Sequence, residues 1–180
     1  MLKSRAKKGS SPRKPLPNFR GLKPASVAAS SAKRSNRKTN SRHEVLLRRE
    51  LRGFGLRYRK YVRDLPGNPD LIFRTAKVAV FCDGDFWHGR DWVRLKRKLL
   101  RGQNSKYWIA KICRNRERDR KVAADLAKLG WDVVRVWESD ILSGPREAAR
   151  WIHSQVRLRL LQNGRCQAVR GVVRRYTPIC

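Results

Sequence analysis

The chain has 180 residues and sets 45 Lys and Arg against 14 Asp and Glu, a formal net charge of +31 at neutral pH. That length fits one domain with tails, and its longest apolar runs, such as Val78 to Cys82, are far too short to span a bilayer. The basic N-terminal stretch lacks the apolar segment of a secretion signal, and the four scattered cysteines (Cys82, Cys113, Cys166 and Cys180) have no Cys-x-x-Cys spacing, so no disulfide framework or zinc ribbon is expected and a reducing cytoplasm fits best.

Residues 1–40 are rich in Ser, Pro, Lys and Arg and nearly empty of large apolar groups, which predicts a disordered basic arm. From Ser41, the residues Val45, Leu46, Leu47, Leu51 and Phe54 make a helical stripe that Gly53 and Gly55 end. Leu56 to Val62 alternates loosely and reads as a strand, followed by a turn at Leu65-Pro66-Gly67-Asn68-Pro69. Leu71 to Phe73 and Val78 to Cys82 read as a hairpin with at least one buried strand. A long helix is expected from about Ser105 to Leu129, a buried strand from Val133 to Trp137, and a last helix from Pro145 to about Leu161. The order α-β-β-β-α-β-α is that of an α/β domain over residues 41–161, with a basic tail at 162–180.

The charge is unevenly spread. Residues 1–43 hold 13 Lys and Arg and residues 154–180 hold six Arg, both without an acid, so every carboxylate lies between Glu44 and Glu147. Cationic ends suit a polyanion, because neutralised phosphates release condensed counterions. No wide apolar helix face adjoins the arm, so nucleic acid is favoured over a membrane surface. Carboxylates held near phosphate help a metal-dependent enzyme rather than a coat protein.

The hairpin puts Asp70 and Asp83 at the same end, where paired carboxylates share a proton or a hard cation such as Mg²⁺. His88, five residues past Asp83 and the one histidine expected near this cluster, can take a proton from water near neutral pH. Lys111, Asn115 and Asp119 are spaced four apart on one helix face and offer a phosphate contact and a carboxylate to orient His88, and Glu44 is a further candidate. Taken singly, each has a plainer explanation: a turn aspartate, a structural histidine, a solvated helix face. Phe86, Trp87 and Trp108 would singly be core aromatics. Their combination is what points to a nuclease.

Five collinear blocks resemble the very short patch repair endonucleases. They are Asn36-Arg37-Lys38-Thr39 followed by Glu44 in HEVLLRRELRGFGLRYR, LPGNPDLIF around Asp70, VFCDGDFWHGR from Val80 to Arg90, KYWIAKICRNRERD from Lys106 to Asp119, and LGWDVVRVWE from Leu129 to Glu138. The resemblance implies a restriction-endonuclease-like fold with a mixed central sheet and a Mg²⁺-dependent cut in double-stranded DNA, in a bacterial cytoplasm or nucleoid. It places the catalytic set on Glu44, Asp70, His88 and Asp119. Asp70 and the backbone carbonyl of Cys82 would bind the metal, His88 would be the general base held by Asp119, and Glu44 would position the metal's waters. Phe86, Trp87 and Trp108 would wedge beside a T:G mismatch, where opening the stack costs least. Arg37 and Lys38 would run along the minor groove or backbone.

Two departures stand out. The family's structural zinc ligands are replaced by Asp85, Arg90, Trp92 and Ser139, so no zinc is expected, and packing or ion pairs must hold residues 85–92. A second active-site histidine is replaced by Asp83, which becomes either a direct metal ligand or the mark of a different substrate. The expected activity is nicking of one strand near a T:G mismatch. The alternatives are a site-specific double-strand endonuclease, homing- or restriction-like, on the same fold, and a non-catalytic nucleic-acid-binding protein. The arginines of the tail, Arg157, Arg159, Arg165, Arg170, Arg174 and Arg175, read as a second DNA contact or as solvated charge.

Overall fold

The computed structural model describes residues 40–163 and 172–176. The expected arm, with Arg37 and Lys38, lies outside them, as do Arg165 and Arg170 of the tail. The described elements run α1 (Arg42–Gly53), β1 (Arg59–Lys60), β2 (Leu71–Phe73), β3 (Val78–Asp83), α2 (Asp85–His88) and α3 (Trp92–Leu100). They continue with α4 (Ser105–Lys128), β4 (Asp132–Trp137), α5 (Glu138–Ser143), α6 (Pro145–Asn163) and β5 (Val173–Arg175). The expected α-β-β-β-α-β-α order is present, with three short helices and a fifth strand added to it.

Helix α1 starts at a capping box: the Ser41 side chain accepts from the Glu44 N–H, and the Glu44 carboxylate reaches back to the Ser41 N–H. Its inward face is His43, Glu44, Leu47, Arg48 and Leu51, so the apolar stripe is narrower than the sequence pattern implies, and Val45 is half exposed. Polar groups share that face because it points partly at a cavity. The strand expected over Leu56 to Val62 shrinks to Arg59–Lys60, because Tyr61 takes a left-handed conformation (φ 56°) that ends the extended run.

The sheet has the order β1-β2-β3-β4-β5. The first two pairings are antiparallel, and β3-β4 and β4-β5 are parallel. Strand alternation sends Val78 and Val80 of β3 and Val134 and Val136 of β4 to one face, against Leu47 and Leu51 of α1 and Ile152 and Val156 of α6. Ala79, Phe81 and Val133 point the other way, onto Ala123 and Leu126 of α4 and onto Trp131. Helices thus cover both faces, as buried parallel strands require. Among the described residues no helix is long and apolar enough to cross a membrane.

Strand β5 was read from sequence as part of a charged tail. What places it is Asp132, fully buried at the start of β4. Its carboxylate accepts from the Val172 N–H at 3.0 Å and from Arg174 Nη1 at 2.5 Å, with Arg159 Nη1 of α6 at 3.5 Å. Arg159 is itself buried and donates to the Gly130 carbonyl. Arg159 of α6 and Arg174 of β5 are therefore structural. Asp132→Ala strands those cations, and urea denaturation should show a loss of about 3–5 kcal/mol; a loss under about 1 kcal/mol would mean the carboxylate does not hold the strand.

Candidate active site

The carboxyl end of β3, the start of β2, the first turn of α1 and the middle of α4 meet around one cavity of about 1030 Å³. Glu44, Asp70, Cys82, Asp83, Trp87, His88, Lys111, Asn115 and Asp119 all line it. The face carrying Lys111, Asn115 and Asp119 is thus turned inward rather than solvated.

Asp70 sits where the β2-β3 ladder opens. Its N–H donates to the Val80 carbonyl at 3.0 Å, and its Oδ2 accepts from the Cys82 N–H at 2.7 Å. An extended residue points its N–H and C=O to the same side, so the Cys82 carbonyl faces the Asp70 edge as well. Burial pushes the Asp70 carboxyl up to about 7; the Cys82 hydrogen bond opposes this, while the charges of Glu44 and Asp83 add to it. Among the described residues this carboxylate has no ion-pair partner. Burial likewise raises the Cys82 thiol well above its ordinary range, which leaves that side chain inert.

Across the cavity, His88 Nδ1 lies 2.6 Å from Asp119 Oδ2. A carboxylate on Nδ1 fixes the tautomer with the proton there and leaves Nε2 as the acceptor. Burial alone would raise the Asp119 carboxyl, but the His88 hydrogen bond and the charges of Arg135 and Arg118 prevail and hold it below its usual value. His88 is delivered by α2, which starts directly off β3 and is tied to α4 by Asn115 Nδ2 donating to the Trp87 carbonyl at 2.9 Å.

Asp83, expected either as a metal ligand or as the mark of a different substrate, pairs with Arg135. Arg135 Nε and Nη2 donate to its two oxygens at 2.7 and 2.6 Å, both side chains are buried, and Arg175 Nη2 of β5 adds a contact at 3.4 Å. Arg135 also reaches Asp119 at 3.3 Å. Sequence reading passed over this residue, although an arginine inside the valine-rich run of β4 signals a buried partner. Glu44 lines the cavity with both oxygens engaged, by Ser41 on one side and by Asn40 and Arg48 on the other. His88 is not the one histidine at the site: His43, a residue before Glu44 on the same buried face, lines the cavity between Ser41 Oγ (3.0 Å) and Glu138 Oε1 (3.3 Å).

Phe86, Trp87 and Trp108 form one cluster with ring centroids 5.3 to 5.9 Å apart, and Phe86 is exposed. Phe86 thus lies at the surface rather than in the core, and Trp87 lines the cavity. Of the four residues standing in the zinc positions, Arg90 binds the others' segment together. Its Nη1 lies 2.6 Å from Asp140 and 3.6 Å from Asp85 and donates to Ser139, while Trp92 carries the Arg116 guanidinium 5.6 Å above its ring. Ion pairs do hold this stretch.

Among the described residues no three His, Cys, Asp or Glu side chains form a closed metal cage. A cation bound mostly by water, one carboxylate and a carbonyl fits what is there: a buried, unneutralised Asp70 beside the Cys82 carbonyl.

A family model described as DNA mismatch endonuclease Vsr matches residues 26–94. The chain is 42% identical over 115 residues to a type II nicking enzyme, V.HpaIIP, of Haemophilus parainfluenzae, covering 64% of this chain and 80% of that one. A second, V.NmeDIP of Neisseria meningitidis serogroup C, is 40% identical over 123 residues, 68% of this chain and 82% of the relative. The DNA mismatch endonuclease Vsr of Escherichia coli K12 is 38% identical over 88 residues, 49% and 54% of the two chains. The chain belongs to the Vsr endonuclease family. It is a DNA endonuclease, and its mixed five-stranded sheet is the restriction-endonuclease-like fold expected of a Vsr protein.

Two outcomes follow from the geometry of this Vsr site. A carboxyl near 3.8 when unfolded and about 7 when folded binds its proton more tightly in the native state. Its contribution to stability therefore falls as pH rises from about 4 to 7, by on the order of 4 kcal/mol, and is level above that. Asp70→Asn in EDTA should gain stability over the wild type across that window, read by urea denaturation at several pH values; a constant difference would refute the raised carboxyl. Arg90→Ala should lower the melting temperature by several degrees and reduce DNA cleavage with it, since the buried Asp140 loses its cation.

Proposed function

We propose that the protein is a Mg²⁺-dependent nicking endonuclease that cuts one strand of duplex DNA beside a T:G mismatch. The observation that carries this reading is the His88–Asp119 pair at 2.6 Å, opening on the same cavity as the unneutralised Asp70. The names of the relatives, type II nicking enzymes and a DNA mismatch endonuclease, support the single-strand cut and the mismatch. Asp70 and the Cys82 carbonyl would hold the ion, and Asp83 stays with Arg135. When bound, Mg²⁺ supplies Lewis acidity at the scissile phosphate.

The chain's own residues do the rest. His88 Nε2 takes the proton of the attacking water, and Asp119 stabilises the imidazolium that forms. Lys111 faces the cavity as a phosphate contact, and Glu44, held rigid by the capping box and Arg48, orients water next to Asp70. Phe86, Trp87 and Trp108 stack at the opened mismatch step. Arg37 and Lys38, which precede the cavity-lining Asn40 in the sequence, would add salt-dependent contacts to DNA.

The test uses end-labelled duplexes that differ only by T:G or T:A at one position, with Mg²⁺ or EDTA. Nicking should need both the mismatch and Mg²⁺. Asp70→Ala should abolish it without loss of binding, and His88→Ala should slow it about 10²–10⁴-fold. Cleavage of both strands of the T:A duplex would replace the mismatch reading, and an active Asp70→Ala would remove Asp70 from the metal site.

A further inference from the structure

A second cavity, of about 620 Å³, opens on the other side of the His88–Asp119 pair. We propose that it binds a non-scissile phosphate of the DNA strand being cut. This inference rests on the endonuclease reading of the first cavity and adds a subsite to it.

Four arginines reach this cavity from three elements: Arg116 and Arg120 of α4, Arg135 of β4 and Arg175 of β5. Two are pre-set against indole rings. Arg116 lies 5.6 Å over Trp92 and donates to the Gly89 carbonyl at 3.0 Å, and Arg175 lies 4.1 Å over Trp137. Such stacking holds a planar guanidinium in place with its edge donors open to an oxyanion. Arg135 is almost wholly buried, and its Nη1 has no hydrogen-bond partner among the described residues. A buried charged donor without an acceptor is costly unless a ligand supplies one.

The carboxylates nearby neutralise this group only in part. Asp83 pairs with Arg135 and Arg175, Asp119 lies 3.3 Å from Arg135 and is also engaged by His88, and Asp91 caps α3 by accepting from the Arg94 N–H. Four arginines thus meet three carboxylates, and an anion offsets the charge left over. Burial lowers the Arg175 guanidinium from its usual value; Asp83 and Asp119 oppose this, while the charges of Arg135 and Arg116 add to it.

The place of the cavity selects the anion. It shares His88, Asp119 and Arg135 with the first cavity. Phosphates recur about every 3.4 Å of axis along one strand. A strand with its scissile phosphate in the first cavity therefore carries its neighbours to the second. The tail's Arg175 thereby becomes part of the DNA-binding surface, through the strand that Asp132 anchors.

Binding of a labelled T:G duplex is measured in EDTA, with the full chain, over a range of NaCl concentrations. Arg120→Ala should weaken binding about tenfold and lower the slope of log Kd against log[NaCl] by about 0.9, while Arg120→Lys keeps most of the slope. A series of duplexes with one neutral methylphosphonate linkage at each position flanking the nick then locates the contact. One linkage should weaken wild-type binding and leave Arg120→Ala and Arg175→Ala unaffected. An unchanged slope, or losses that simply add at every linkage, overturns the phosphate site. Duplex bound and coupled in this way but never nicked would overturn the endonuclease mechanism and leave the phosphate site standing. No duplex binding at all would overturn both.

Discussion

One buried arginine ties the site to the fold. Arg135 projects from the middle of β4 into the layer between sheet and α4, where its charge would be prohibitive alone. Asp83 at the end of β3 accepts from Nε and Nη2, and Asp119 of α4 lies 3.3 Å from the same Nη2. The carboxylate that orients His88 is therefore fixed against the parallel β3-β4 pair. Distances around the histidine depend on this anchoring more than on the short α2 helix that carries it.

The same chemistry explains how Glu44, Asp70 and Asp83 coexist in a cavity that Asp119 and Glu138 also line. Glu44 is answered by Arg48 and a capping box, and Asp83 by Arg135 and Arg175. Asp70 is left with a single backbone N–H. Satisfying two of the acids and leaving the third costs stability in the metal-free chain, and concentrates the attraction for a cation at one oxygen pair. A site in which every acid had its own arginine would be more stable and would bind no metal.

Elements defined by burial of apolar groups were legible in the sequence. The end of α1, the β2-β3 hairpin, α4, β4 and α6 all lie within a residue or two of their expected bounds, because Leu47, Val78, Val134 and Ile152 mark their buried faces. The four family positions Glu44, Asp70, His88 and Asp119 do come together in one cavity. What the pattern did not disclose is set by ion pairs between segments remote in sequence. Strand β5 depends on Asp132 some forty residues earlier, α2 and α5 are bolted by Arg90, and Arg135 looks like an interruption of a strand until Asp83 is beside it. Hydrophobic period reports which face is inward, not which charge waits there.

The two outermost strands have a consequence for how copies of the chain meet. β1 is the pair Arg59–Lys60, and β5 is Val173-Arg174-Arg175. An open sheet edge offers unpaired N–H and C=O groups to any extended segment that arrives, and length and apolar side chains make the offer effective. Here each edge is two or three residues long and cationic. Two molecules approaching edge to edge would bring like charges together before a single intermolecular ladder bond could form. A sheet whose inner strands are mostly apolar is thus kept from growing by strand addition, even at the high local concentrations that crowding along one DNA molecule produces.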